Sequence, residues 1–197
     1  LDARDPLSGF RVRFVHNSNE PELIYLDGNS LGRQPRAAAD VLARVVDQEW
    51  GERLIRGWNE GWLDIAEGVG DLIGELLGAQ PGEVTLAENT SVCLYKAVVA
   101  ALWERPSRRK VVTADENFPS DIQIPRSACR SAGSDQTVEI VETSATTDPT
   151  GALLDAIDES TAVVSLSHVA YRSGRRWNLK AVNRAAEQAG ALVVWDF

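Results

Sequence analysis

Methionine is missing from all 197 residues, cysteine and histidine occur only twice each, and the lysines are Lys96, Lys110 and Lys180. Cys93 and Cys129 lack the spacing of a metal cluster or a disulfide framework, so reduced thiols and no bound metal are expected. No apolar run approaches the roughly 18 residues of a membrane span, and the first residues lack the apolar core of a signal peptide. A cytoplasmic chain that does not engage a membrane is the expectation. The net charge is -9, and the only basic clusters are the pairs Arg108-Arg109 and Arg175-Arg176, which read as solvated loop charge. That excludes the basic face a nucleic-acid binder needs. A dinucleotide fingerprint is also missing: Gly68 and Gly70 fall inside a helical pattern with no strand before them. Without an initiator methionine, and with a closing ALVVWDF that reads as a buried strand, the sequence looks like part of a longer protein.

What remains is an ordinary globular composition, 44% hydrophobic and 25% charged, long enough for about one domain. The organising stretch is ENTSVCLYKAVVAALW, residues 88–103. Val92, Leu94, Tyr95, Val98, Val99 and Leu102 recur at helical steps behind the capping types Asn89, Thr90 and Ser91. Unpaired N–H groups and the positive end of the helix dipole favour an anion there, and the two hydroxyls add donors for phosphate oxygens. An ordinary helix cap is the competing reading.

Ahead of this stretch, residues 10–17 alternate loosely and predict extended chain, and residues 23–26 predict a short strand running into the turn DGNSLG. Helices are predicted after Pro35 and over residues 62–77, stopped by Gly78 and Pro81. Beyond it, the all-apolar runs KVVT, AVVSL and ALVVW alternate with helical segments, and residues 138–141 add another strand. Such alternation predicts a mostly parallel sheet flanked by helices, an α/β fold. Each all-apolar run ends at its carboxyl side in polar or aromatic residues: Phe118 and Asp121, Ser167 and His168, and Asp196. Open α/β sheets bind ligands along that edge. Phosphate donors, an aromatic face and a strand-end acid suit a phosphorylated, cationic, planar heterocycle.

YLDGNSLG (residues 25–32), ENTSV (88–92), ENFPSD (116–121), SLSHVAYRSG (165–174) and GALVVWD (190–196) together resemble kynureninases, in that family's order and at compatible spacings. The resemblance implies the large pyridoxal-phosphate-binding domain of the aspartate-aminotransferase (fold type I) architecture, incomplete in this chain. It implies that residues 1–60 form an arm and helix serving the small domain and that residues 61–197 begin the large one. The implied activity is hydrolysis of L-kynurenine, or its 3-hydroxy form, to anthranilate and L-alanine in tryptophan degradation. The implied cofactor is pyridoxal 5′-phosphate, and the implied assembly is a homodimer with the active site between subunits.

By the same resemblance, Thr90 and Ser91 hold the cofactor phosphate and Phe118 stacks on the pyridine ring. Pro119, Ser120 and Asp121 form a cofactor-contacting loop, with Ser167 a further contact. Asp196 faces the ring nitrogen, while Asn29 and Ser30 lie on the substrate side. Isolated, each of these has a plain competitor: a plugged core for Phe118, caps for Asp121 and Asp196, turn chemistry for Asn29 and Ser30. His168 reads as structural. The sequence also departs from the family pattern. None of its lysines occupies the position of the lysine that holds the cofactor aldehyde, and the arginine that grips the substrate carboxylate is not found. Two alternatives stay open: another fold-type-I enzyme such as a cysteine desulfurase or selenocysteine lyase, which needs a mobile nucleophilic cysteine, and a non-catalytic interaction module.

Overall fold

The computed structural model describes residues 4–133 and 135–197. The chain separates into two compact units, Leu1–Leu86 and Ala87–Phe197.

Among the described residues, the Leu1–Leu86 unit holds no strand. Ser8–Arg13 is a 3-10 turn where extended chain is predicted, and the predicted strand at residues 23–26 does not form. A strand needs a partner, and among the described residues of the unit the one sheet-like contact is the isolated Phe14–Pro35 bridge. The Tyr25 hydroxyl instead closes the following turn on the Leu31 carbonyl at 2.6 Å. Helix α1 (Arg36–Arg44) widens into a π turn over Val45–Trp50. Helix α2 (Ile65–Leu77) follows a 3-10 turn and ends at Gly78, whose φ of 76° lies in the left-handed region that glycine adopts freely.

The Ala87–Phe197 unit runs α3 (Thr90–Glu104), β1 (Lys110–Ala114), α4 (Pro119–Ala132), β2 (Thr137–Val141), α5 (Pro149–Asp155), β3 (Thr161–Ser167), α6 (Leu179–Ala189) and β4 (Leu192–Asp196). The strands are all parallel, in the order β2-β1-β3-β4. Alternate strand residues point to opposite faces, so Val111 and Val163 pack beneath α3 and α4 with Val98, Leu102 and Ala128. Val112, Val164 and Leu166 pack on the other face with Leu153, Val182 and Ala186 of α5 and α6. Both faces are covered, which is why β1 and β3 read as unbroken apolar runs. From β1 the chain moves outward to β2, whereas β3 lies on the other side of β1. The carboxyl ends of β1 and β3 are therefore the switch point of the sheet, where open α/β folds leave a crevice.

Candidate functional site

Helix α3 begins at that carboxyl edge. The Asn89 side chain caps it, with Oδ1 accepting the Val92 N–H at 3.0 Å. The N–H groups of Thr90 and Ser91, at the start of the helix, have no carbonyl a turn earlier to accept them. Thr90 lines a recess of about 420 Å³ together with Asn89, Cys93, Trp195 and Asp196. The helix mouth and the end of β4 thus open into one space.

Behind that edge, Ser167 at the end of β3 is buried, and its Oγ donates to Asp121 Oδ2 at 3.1 Å. Asp121 is 4% exposed and sits in the first turn of α4, where the helix dipole favours a carboxylate. Ser120 Oγ donates to its other oxygen at 3.0 Å. Asp196 faces Ser167 across the β3–β4 ladder. Its carboxyl titrates above the ordinary aspartate range, first because of burial, then because Asp121 faces it with charge and a hydrogen bond, with Ser167 acting the other way.

Phe118 occupies the cap position of α4 and Pro119 its first turn. The Phe118 ring is 50% exposed and meets Tyr171 edge to face, with centroids 5.1 Å apart. Of the residues singled out from the sequence, Asp121, Ser167 and Asp196 converge, and Thr90 shares the recess with Asp196. Phe118, Pro119 and Ser120 lie on the turn that delivers Asp121. Ser91, although next to Thr90, is exposed and does not line the recess, and neither does Phe118. Asn29 and Ser30 belong to the Leu1–Leu86 unit, in an exposed turn where Ser30 Oγ donates to Asp27 Oδ1 at 2.8 Å. His168 packs edge-on against Trp195 and Phe197, in keeping with a structural role.

Sequence reasoning missed two features. Asn117, 3% exposed, bridges β1 and β3 through its side chain. Glu116 accepts hydrogen bonds from Arg175 Nε at 3.1 Å and from Nη2, and from Ser173 Oγ at 2.9 Å and Thr143 Oγ1 at 3.2 Å. The reading of the arginine pairs as solvated loop charge holds for the exposed Arg109 and Arg176 and is corrected for Arg108 and Arg175. Arg175 is ion-paired and lies 3.9 Å over the Trp177 ring, and Arg108 Nη1 donates to the Thr161 carbonyl at 3.0 Å. Both arginines satisfy groups that the folded chain brings from distant positions, which local sequence does not display. Glu116, Arg175, Thr143 and Tyr171 also line a larger cavity of about 670 Å³. Its Glu116 and Arg175 are already paired with each other, whereas the smaller recess joins a helix start to the strand-end acid Asp196 and is taken as the candidate for a ligand. Among the described residues, no group of three or more His, Cys, Asp or Glu could hold a metal ion.

No family model matches the chain. The whole chain is similar to the kynureninases of Burkholderia pseudomallei (strain 1106a), 39% identical over 201 residues, and Pseudomonas fluorescens, 40% identical over 202 residues. Each alignment covers 100% of this chain and 46% of the relative, so the chain spans about half the length of the curated relatives it matches. The resemblance carried by the sequence motifs thus extends over the full chain. Among solved structures, C-DES with glycine covalently linked to its PLP cofactor is similar at TM-score 0.72 and 18% identity, over 95% of this chain and 49% of that one. The apo cysteine desulfurase of Thermococcus onnurineus NA1 is similar at TM-score 0.71 and 18% identity, over 98% and 48%. The fold is that of the fold-type-I PLP enzymes.

Proposed function

We propose that the Ala87–Phe197 unit supplies one side of a pyridoxal 5′-phosphate pocket in a kynureninase, and that the intact protein hydrolyses L-kynurenine, or its 3-hydroxy form, to anthranilate and L-alanine in tryptophan degradation. The observation that carries this reading is the meeting of the α3 helix start and Asp196 in one recess, with Asp121 and Ser167 behind them.

The residues present fit the cofactor. A helix mouth with hydroxyls at Thr90 and Ser91 suits a phosphate. Two neighbouring acids, one held above its ordinary range, suit a protonated ring nitrogen, because a cation relieves the crowding that raises Asp196. Phe118 leaves half of its surface free to lie on a flat ring. When bound, the cofactor supplies an electron sink for bond changes at the substrate's α-carbon. Asp196 and Asp121 would then keep the ring nitrogen protonated, Ser167 would orient Asp121, and Phe118 would lie on the ring, with Pro119 and Ser120 in the contacting loop. Asn29 and Ser30 are assigned to the substrate side, residues 1–60 to the small domain, and the working assembly to a cytoplasmic homodimer.

None of the three lysines lines the recess. Lys96 is paired with Glu88 at 2.7 Å, and Lys110 with Asp158 and Glu139. The amine that holds the cofactor aldehyde is assigned to sequence outside this chain. The desulfurase reading draws on the solved structures of similar fold, but it needs a mobile thiolate. Cys129 is buried, with its thiol pushed up by that burial, and Cys93 lies within α3.

The test is to mix the intact gene product with pyridoxal 5′-phosphate and follow the visible band of protein-bound cofactor, then add L-kynurenine and follow anthranilate fluorescence. Both signals are expected. Sulfide release from cysteine without anthranilate, or no bound cofactor at all, would overturn the reading.

A further inference from the structure

Strands β1 and β3 are paired only as far as Val112 opposite Val164. Had the ladder continued, Ala114 would lie opposite Leu166. In a parallel ladder its N–H would then meet the Ser165 carbonyl, and its carbonyl the Ser167 N–H. Instead β1 stays with β2, where Ala114 pairs with Val141, and the Ala114 carbonyl accepts the N–H of Asn117 at 3.1 Å. The two groups on β3 are still satisfied. Asn117 Nδ2 donates to the Ser165 carbonyl at 3.2 Å, and Asn117 Oδ1 accepts the Ser167 N–H at 3.2 Å. The β3 carbonyl and N–H themselves set which way the amide faces, and its second Nδ2 hydrogen reaches Thr113 Oγ1 at 3.0 Å.

We infer that the Asn117 carboxamide stands in for the missing peptide group of β1, letting the sheet open at its switch point, and is thereby a positioning residue for the Ser167–Asp121 contact and for Phe118. A side-chain amide carries one donor face and one acceptor face, as a peptide group does. Aspartate lacks the donor, and leucine lacks both. Without the substitute, a buried carbonyl and a buried N–H at the end of β3 lose their partners. Ser167, whose hydroxyl reaches Asp121, is the residue whose backbone comes loose, and Phe118 follows Asn117 directly in the chain. The effect on the cofactor rests on the proposed pyridoxal-phosphate reading of the recess; the ladder geometry does not.

The experiment uses the intact gene product with Asn117→Asp, Asn117→Leu and, as a control, Thr113→Val. The control removes a neighbouring buried contact and leaves both ladder-like bonds in place. Amide hydrogen exchange is measured without added cofactor, and the Kd for pyridoxal 5′-phosphate is taken from the absorbance titration. Asn117→Leu, which leaves both β3 groups without partners, should speed exchange around Ser165 to His168 while leaving the middle of β3 unchanged. Asn117→Asp keeps an acceptor for the Ser167 N–H but sets a carboxylate against the Ser165 carbonyl, which pushes the strands apart and speeds the same exchange to a lesser degree. Both should weaken cofactor binding about tenfold. Thr113→Val should change Kd by less than about twofold. Where Asn117→Leu does not fold, Asn117→Asp, of nearly equal volume, decides the question. Unchanged exchange at the end of β3 would overturn the ladder role. Faster exchange with wild-type Kd would overturn the positioning role. A wild-type protein that binds no pyridoxal 5′-phosphate would overturn the cofactor reading and the positioning role with it, and the exchange data would still decide the ladder role.

Discussion

Ser167 and Asp196 face one another at the last rung of the β3–β4 ladder, and the His168 N–H just beyond donates to the Asp196 carbonyl at 2.7 Å. The ladder therefore holds Asp196 in place through backbone bonds, while its side chain meets Asp121, the acceptor of the Ser167 hydroxyl. Rigid elements carry the acids, and the burial of their charge, followed by their mutual repulsion, opposes the arrangement.

That opposition has a pH signature. Burial first, and Asp121 second, lift the Asp196 carboxyl above the range it has in an unfolded chain. Between those two ranges the folded state holds more protons than the unfolded one, so stability falls as pH rises through that window and is level above it. Asp196→Asn removes the titration. Urea unfolding without cofactor should therefore show the variant gaining on the wild type across the window and keeping its gain above it. The same change should weaken pyridoxal 5′-phosphate at least about tenfold, since a charge-assisted hydrogen bond contributes about 1.5–3 kcal/mol. Parallel stability curves at every pH would remove the case for a crowded acid.

Much of this edge was legible because its signals are local. Asn89, Thr90 and Ser91 announce a helix start by residue type, and KVVT and AVVSL announce buried parallel strands by lacking alternation. ALVVW announces a parallel strand too, but one that is half-buried at the end of the strand order rather than buried. The convergence of Asp121, Ser167 and Asp196 followed from strand ends lying on one side of a parallel sheet. Asn117 and the Glu116–Arg175 pair were illegible for a common reason. Their partners on and beyond β3 are 48 to 59 residues away, and the register of β1 against β3 brings them together. Residues 23–26 misled in the opposite sense: a strand-like composition forms no strand where no neighbour pairs with it.

Arg175 is the ion-pair partner of a nearly enclosed Glu116, whose carboxyl lies below its ordinary range. Burial opposes its charge, but hydrogen bonds from Arg175 and Ser173 and the Arg175 charge outweigh burial. Arg175→Met would leave Glu116 charged, half-desolvated and without its cation, at a cost of about 3 kcal/mol. Pairing it with Glu116→Gln should recover part of that loss, because the uncompensated charge is gone. Urea midpoints of the single and double variants decide this. A double variant no more stable than Arg175→Met would mean the cost lies in lost packing over Trp177 instead.

Lys110 anchors the start of β1 by donating to the Ala156 carbonyl at 2.8 Å and to Asp158 Oδ2 at 2.7 Å, with Glu139 Oε2 at 3.1 Å. Its hydrogen bond is the leading cause that draws the Asp158 carboxyl far below the ordinary aspartate range. A depressed carboxyl adds stability above the ordinary range and loses it as pH falls through that range toward the lowered value. Asp158→Asn should therefore flatten the acid limb of the stability profile and leave its shape near neutral pH unaltered. Since Asp158 and Glu139 remain largely solvated, Lys110→Met should cost only about 1 kcal/mol. An acid limb identical in wild type and Asp158→Asn would refute the assignment.

Two glycines in α2 should respond differently to the same substitution. A Cβ on Gly70 would fall 2.1 Å from the Val84 carbonyl oxygen and 2.8 Å from its carbon, backbone atoms with no side-chain freedom to move aside. Around Gly68, two residues earlier on the same helix, nothing lies within 4 Å of that position. Gly68→Ala should stabilise the Leu1–Leu86 unit by about 1 kcal/mol through helix propensity alone. Gly70→Ala gains the same propensity but must push the 84–85 segment off the helix, a cost of about 1–3 kcal/mol that leaves it neutral to destabilised. Limited proteolysis at increasing urea reads the difference, with cleavage within residues 4–86 retarded in one variant and not in the other. Equal protection of both would show that Val84 does not press on the helix as the backbone geometry requires.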